Sequence, residues 1–131
     1  MSVNLDRVRS IYADWERWDF SSAEWADPEI DFVIIGGPTE YEATHGIPWM
    51  ARGVREFLTA WQGYRVEAEE YRELDDERIL VVTRDTACGM TSGVHTVAMR
   101  AHALHLQGGK VISAAMYWDR DRAFADLGLE E

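Results

Sequence analysis

The sequence predicts an α+β domain, for three reasons. Apolar residues recur at helical spacing early in the chain, whereas most of the remainder alternates in the manner of β-strands. Glycine or aspartate pairs separate the later segments, as they do between antiparallel neighbours. A chain of 131 residues has room for one core, so we expect a single domain over residues 1–131, with helices layered against one curved mixed sheet.

Two helices are predicted before the first strand. An apolar stripe from Val8 to Trp18 indicates an amphipathic helix. The capping-box spacing of residues 21–24 then starts a short second helix. Asp27 should end it, because a residue that precedes proline avoids the helical conformation. The first strand is expected over residues 30–35.

A third helix is predicted after a long loop over residues 38–46. Pro48 suits the first turn of this helix, because its missing N–H would be unpaired there in any case. The apolar face of the helix runs as far as Trp61, and Gly63 should end it.

The rest of the chain is mostly strand. Four further strands are predicted, at residues 64–74, 79–87, 94–106 and 110–118. Asp119 can then cap a last helix over residues 120–127, and Gly128 can end it.

The strands over residues 94–106 and 110–118 carry apolar side chains on both faces. A sheet with one face in water alternates more cleanly than this. We therefore expect one face to line a cavity covered by helices and the other to meet a second subunit, which predicts a homodimer.

The net charge of the chain argues against two classes of binding partner. Its formal net charge is −11, which repels phosphate backbones and anionic membranes, so we expect no nucleic-acid or membrane partner. The single cysteine, Cys88, cannot form an internal disulfide and suits a reducing compartment. Because we find neither a basic leader nor a long apolar segment, we expect a cytoplasmic location.

The four histidines do not predict a metal site. His102 and His105 lie three residues apart, which places them on opposite faces of a strand. His95 shares a face with His105 but lies far from it along the strand. Without further cysteines, we expect neither a metal nor another cofactor.

The element order resembles that of a known family, the SnoaL-like polyketide cyclases of the nuclear transport factor 2-like superfamily. The segments that carry the resemblance are residues 11–15, 25–30, 92–94, 109–111 and 117–120. The superfamily also contains ketosteroid isomerase and limonene epoxide hydrolase. The resemblance implies a cone-shaped α+β domain, dimeric through the outer sheet face, with a curved mixed sheet wrapped around a deep cavity that helices cover.

The resemblance does not transfer a complete catalytic set. By element order, the tyrosine of ketosteroid isomerase falls near Ile11 and its base near Val33, so that base is missing here. The arginine and two aspartates of limonene epoxide hydrolase fall at Thr83, Asp85 and Met116. Only Asp85 matches.

In the register that the resemblance implies, Asp85, Arg100 and His102 point into the cavity and are the candidate catalytic residues. Asp85 is either a catalytic base or the ion-pair partner of Arg100. His102 is either a proton donor or oxyanion partner for a ligand oxygen, or a hydrogen-bonded core histidine. A slip of one residue would replace Arg100 and His102 by Met99 and Ala101.

Aromatic rings and methionines suit the wall of a pocket for a flat apolar ligand. The candidate ligand-pocket residues are Tyr12, Trp15, Asp31, Trp49, Met50, Trp61, Met116 and Trp118.

The leading hypothesis is a cofactor-independent acid–base enzyme that acts on a small aromatic or polycyclic metabolite by cyclisation, isomerisation or hydration. In it Asp85 is the base, His102 the proton donor or oxyanion partner, and Arg100 the group that orients them. A non-catalytic binding module of the same fold, with a small hydrophobic or aromatic ligand, is the alternative. A dimeric scaffold with a filled core is a third.

Overall fold

The computed structural model describes residues 3–17, 19, 24–36, 43–89 and 95–129, and within 56–63, 87–89 and 95–96 it describes the backbone only. The described residues form three helices and six strands. In chain order these are α1 (Val3–Glu16), β1 (Ala26–Ile35), β2 (Thr44–His45), α2 (Ile47–Ala60), β3 (Trp61–Glu73), β4 (Arg78–Gly89), β5 (His95–Gln107), β6 (Lys110–Tyr117) and α3 (Arg120–Leu127).

All six strands join one curved sheet in the order β2-β1-β6-β5-β4-β3. Strand β1 runs parallel to β6, and every other neighbouring pair is antiparallel. The α+β class and the mixed sheet predicted from the sequence are therefore confirmed.

The sheet carries a core on each face, because successive side chains of a strand point to opposite sides. The inner face bears Ile79 and Val81 of β4, which pack with residues of α1. The outer face bears Leu80 and Val82, which pack with Phe124 of α3. Helices α1 and α2 thus cover the inner face and α3 covers part of the outer face.

The predicted second helix is wrong at its C-terminal end, because β1 already begins at Ala26. Ala26 pairs with Val111 of β6, and the register then shifts before Asp31. Pro28 lies within this irregularity, where a residue that lacks an N–H does not interrupt the ladder. Glu24 and Trp25 form a turn, and residues 21–23, where that helix is predicted to begin, lie outside the described residues.

Helix α2 ends at Ala60, three residues before the predicted stop at Gly63. Trp61 instead opens β3 and pairs with Gly89 of β4. Gly63 falls where the β3–β4 register shifts, so it marks a bulge and not a helix end. Within the predicted loop, Thr44–His45 forms the short strand β2, and residues 37–42 lie outside the described residues.

The last helix, over residues 120–127, is confirmed together with both of its caps. The Asp119 side chain accepts a hydrogen bond from the Asp121 N–H, and Gly128 adopts the left-handed conformation with φ 68°. Within the described part of the chain, no helix is long and apolar enough to cross a membrane.

Candidate functional site

A cavity of about 100 Å³ opens between the inner face of the sheet and helices α1 and α2. On the same volume scale one water molecule needs roughly 10–15 Å³, so the cavity has room for several water molecules or a small ring system. Its lining residues are Trp15, Trp25, Phe32, Ile34, Met50, Val54, Tyr64, Val66, Asp85, Arg100, His102, Met116, Tyr117 and Trp118.

The wall of the cavity is mainly aromatic and aliphatic. Trp15 of α1 meets Trp25 edge to face, with ring centroids 5.7 Å apart. Phe32 and Ile34 come from β1, and Met50 from the buried side of α2. Such a wall favours a flat, apolar ligand.

Asp85 is the anion of the site, and it is only 2% exposed. Alternation along β4 places it on the inner face with Thr83. Its Oδ1 accepts a hydrogen bond from the Thr83 hydroxyl at 2.7 Å, and its Oδ2 accepts one from the Tyr64 hydroxyl at 2.6 Å. These bonds hold the carboxylate in a fixed orientation.

Arg100 is the cation of the site. Its Nη1 lies 3.4 Å from Asp85 Oδ2, and its guanidinium lies over the Trp118 ring, 3.6 Å from the centroid. The guanidinium is thus held between a carboxylate and an indole face. Its Nε is buried and makes no hydrogen bond with any residue that the structure describes.

His102 adds a neutral imidazole. Burial is the main cause that lowers the pKa of His102 to about 4, and the charge of Arg100 also lowers it while that of Asp85 opposes the shift. The ring is therefore uncharged at neutral pH. Its Nδ1 shares a hydrogen bond with the hydroxyl of Tyr12.

Two buried tyrosines complete the hydrogen bonding. Burial, reinforced by the charge of Asp85, raises the pKa of both Tyr12 and Tyr64 well above 10. Both phenols keep their protons at neutral pH, and the Tyr64 hydroxyl donates its proton to Asp85. The site therefore contains one anion, one cation and several neutral donors.

The structure brings most of the predicted site residues together. Those that line the cavity are Asp85, Arg100, His102, Trp15, Met50, Met116 and Trp118. Tyr12 is fully buried behind His102 and is not among the lining residues. Met99 and Ala101 belong to the outer-face core, so the slipped register is excluded.

Two predicted pocket residues lie elsewhere. Asp31 faces the outside between the buried Ile30 and Phe32, and its carboxylate lies 2.8 Å from Nδ1 of His45. Trp49 is 58% exposed and packs against the Arg52 guanidinium. Next to them, Phe32 and the predicted Met50 do line the cavity.

The side chain of Trp61 lies outside the described residues, so its expected place in the pocket stays a prediction.

Sequence reasoning missed Tyr64 and Trp25. Tyr64 alternates with Val66 on β3, and that period could have found it. Among the described residues, no group of three potential ligands is placed to hold a metal ion.

Solved structures share this fold. A nuclear transport factor 2-like protein of unknown function from Burkholderia pseudomallei is 19% identical, with a TM-score of 0.77 over 95% of this chain and 97% of that one. TerC, co-crystallised with polyporic acid, is 18% identical, with a TM-score of 0.75 over 96% and 98%. A Jannaschia protein provisionally assigned to the SnoaL-like polyketide cyclases is 14% identical, with a TM-score of 0.75 over 87% and 83%.

No family model and no curated protein matches the sequence. At these identities the structural likeness establishes the fold, and the activity must be argued from the site. The chain has the nuclear transport factor 2-like fold, as its sequence predicts.

Proposed function

We propose that the cavity binds a small aromatic compound with a carbonyl group and catalyses proton transfer on it. The observation that carries this proposal is the burial of Asp85, Arg100 and His102 together in an otherwise apolar, aromatic cavity. Burying such groups is costly, and sites of acid–base catalysis are where proteins commonly accept that cost.

The three residues have complementary roles. Asp85 removes a proton from the carbon next to the ligand carbonyl, and the electron pair moves onto the carbonyl oxygen. His102 supports that oxygen from the cavity wall, and Arg100 orients the carboxylate while its charge favours the developing anion. Return of the proton to another carbon of the enolate completes an isomerisation. Alternatively, the enolate carbon attacks a second carbonyl carbon of the ligand, and the oxygen of that carbonyl takes the proton back from Asp85, which closes a ring. These steps draw on the chain's own side chains, without a cofactor.

TerC gives a first probe for binding, because a chain of the same fold was crystallised with polyporic acid. Titration followed by tryptophan fluorescence should show saturable binding, since Trp15, Trp25 and Trp118 line the cavity. Trp15→Ala should weaken the binding. Trp49→Ala is the matched control, because Trp49 lies on the surface.

Catalysis can be tested without the natural substrate. In deuterium oxide, a base that removes the proton beside the carbonyl of α-tetralone exchanges it for deuterium, which proton NMR follows. Asp85→Asn keeps the shape but removes the base, so the enzyme-dependent exchange should fall roughly a hundredfold or more. Asp31→Asn, which changes an exposed carboxylate, should leave it unchanged. An equal rate in Asp85→Asn would reject Asp85 as the base.

One observation favours a second candidate, a non-catalytic binding module. Both oxygens of Asp85 already have protein partners in Thr83 and Tyr64, with Arg100 near one of them. A carboxylate satisfied in this way can serve structure alone. In that case the aromatic probes bind, Trp15→Ala weakens them, and no exchange above the uncatalysed rate occurs.

A further inference from the structure

Tyr12 and His102 form a buried pair directly behind the cavity wall. Tyr12 lies on α1 and His102 on β5, and the Tyr12 hydroxyl is hydrogen-bonded to Nδ1 of His102. The two rings are stacked, with centroids 5.7 Å apart and planes inclined by 28°. Tyr12 is fully buried, whereas His102 lines the cavity. The ligand would therefore meet His102 and not Tyr12.

The direction of this hydrogen bond follows from what each group needs. Burial raises the pKa of Tyr12 well above 10, so its hydroxyl keeps a proton that requires an acceptor. Among the described residues, His102 Nδ1 is the single partner of that hydroxyl. If Nδ1 donated instead, the hydroxyl proton of Tyr12 would be buried and unpaired, which native proteins avoid. Tyr12 is therefore the donor and Nδ1 the acceptor.

The other ring nitrogen must then carry the proton of the neutral imidazole. A neutral imidazole has one N–H donor and one bare acceptor nitrogen. With Nδ1 as the acceptor, Nε2 is the donor, and it points away from Tyr12. Nε2 makes no hydrogen bond to any described residue. It is not completely buried either, because His102 lines the cavity and Nε2 keeps some accessible surface. Its N–H is thus available to the cavity.

We propose that Tyr12 is a positioning residue that holds His102 as the Nε2–H tautomer, so that the cavity selects ligands with a hydrogen-bond-accepting oxygen, such as a ketone or its enolate. The inference rests on the proposed function and makes it more specific. Arg100 adds only further donors beside His102. A neutral imidazole is a weak acid, so His102 stabilises the ligand oxygen by a hydrogen bond and does not release its proton to it.

Nitrogen-15 NMR of histidine-labelled protein tests the tautomer directly and needs no ligand. His102→Gln assigns the signal. At pH 7 the wild-type spectrum should show His102 neutral, with its proton on Nε2. In Tyr12→Phe the signal should move towards a mixture of tautomers. The pKa of His102 should also rise, by roughly half a pH unit, because a donor to the neutral ring has been removed. Tyr71→Phe is the control, since Tyr71 packs edge-on against Tyr12 but leaves the Tyr12–His102 bond in place.

The spectrum can also overturn the inference. A wild-type proton on Nδ1 would reverse the hydrogen bond. A lower pKa of His102 in Tyr12→Phe would do the same, because it would mean that the charged ring had been donating to Tyr12. Thermal unfolding of Tyr12→Phe beside Tyr71→Phe shows whether the variant is folded, and the wild-type spectrum decides the tautomer in any case.

A matched pair of probes tests the selectivity. α-Tetralone and tetralin have the same ring system and differ in the carbonyl oxygen. Wild-type protein should prefer the ketone by roughly fivefold, the effect of one neutral hydrogen bond. Tyr12→Phe should lose most of that preference while its affinity for tetralin stays the same. Equal affinities in the wild type would overturn the selectivity. If neither probe binds, the proposed function fails, whereas the spectrum still tests the role of Tyr12.

Discussion

At the scale of single residues, the burial of Asp85 and Arg100 is compensated unequally. Asp85 accepts hydrogen bonds from Thr83 and Tyr64 in addition to the contact with Arg100. Arg100 has the carboxylate and the face of Trp118, and its buried Nε has no hydrogen-bond partner among the described residues. Arg100 therefore depends on the charge of Asp85 more than Asp85 depends on Arg100.

Asp85→Asn should consequently lower the free energy of unfolding, by about 3 kcal/mol, because it leaves a buried cation without a counter-charge. Urea unfolding measures the change. Adding Arg100→Met should recover much of the loss, since the unpaired charge is then absent as well. If Asp85→Asn were as stable as the wild type, the prediction would be wrong, and the Arg100 guanidinium would have to be hydrated in the folded protein.

His102 predicts how stability depends on pH. Its pKa is about 4 in the folded protein, against 6.5 as the ordinary value. The unfolded chain therefore binds this proton first, and stability falls as the pH drops from 6.5 towards 4. The contribution of His102 should decrease by about 2 kcal/mol between pH 7 and pH 5. The free energy of unfolding, measured with urea at several pH values, should therefore change less with pH in His102→Gln than in the wild type. The same pH dependence in both proteins would contradict the lowered pKa of His102.

At the scale of secondary structure, β4 and β5 were predictable because each is a long, apolar-rich segment between turn signals, in which side chains point to the two faces with the period of two of any strand. Their inner residues, such as Asp85 and His102, follow from that period once one register is chosen. The start of β1 was not predictable from local rules. Asp27-Pro28 is a common helix end, and only the pairing with β6 turns it into a strand with an irregularity.

Contacts between residues that lie far apart in the chain could not be predicted either, because local sequence rules describe one element at a time. The Tyr12–His102 hydrogen bond joins residues that are 90 positions apart. No periodicity within one element can indicate such a pair. Asp31 could have been placed correctly, because a charged residue between two apolar strand neighbours belongs on the opposite face.

The two caps of α3 give a prediction for a whole element. Asp119 accepts the Asp121 N–H, and Gly128 adopts a left-handed conformation that other residues enter only with strain. Asp119→Ala and Gly128→Ala should each lower the free energy of unfolding by about 1 kcal/mol. Arg122→Ala, within the same helix, is the control for a lost surface charge, because Arg122 is exposed and its ion pair with Asp126 lies at the surface. Chemical unfolding of the three variants checks the ranking, and a cost in Arg122→Ala as large as in the caps would contradict it.

At the scale of the whole molecule, α3 leaves part of the outer sheet face uncovered. It packs against β5 and β6, where Ala101 and Tyr117 are buried beneath it. Further along β5, Val97 remains 69% exposed. An exposed β-branched side chain on a face that already carries apolar neighbours is suited to contact with a second subunit.

The homodimer predicted from the sequence can be tested at this position. Sedimentation equilibrium at micromolar concentrations should give twice the mass of one chain. Val97→Asp should raise the dimer dissociation constant by about tenfold or more, because it places a charge in an apolar contact and adds to the repulsion between two chains that each carry a net charge of −11. Val3→Asp is the matched control, since Val3 is 79% exposed but lies on α1, which covers the other face of the sheet. A wild-type protein with the mass of one chain, or an equal effect of both variants, would show that the outer face of β5 is not the interface.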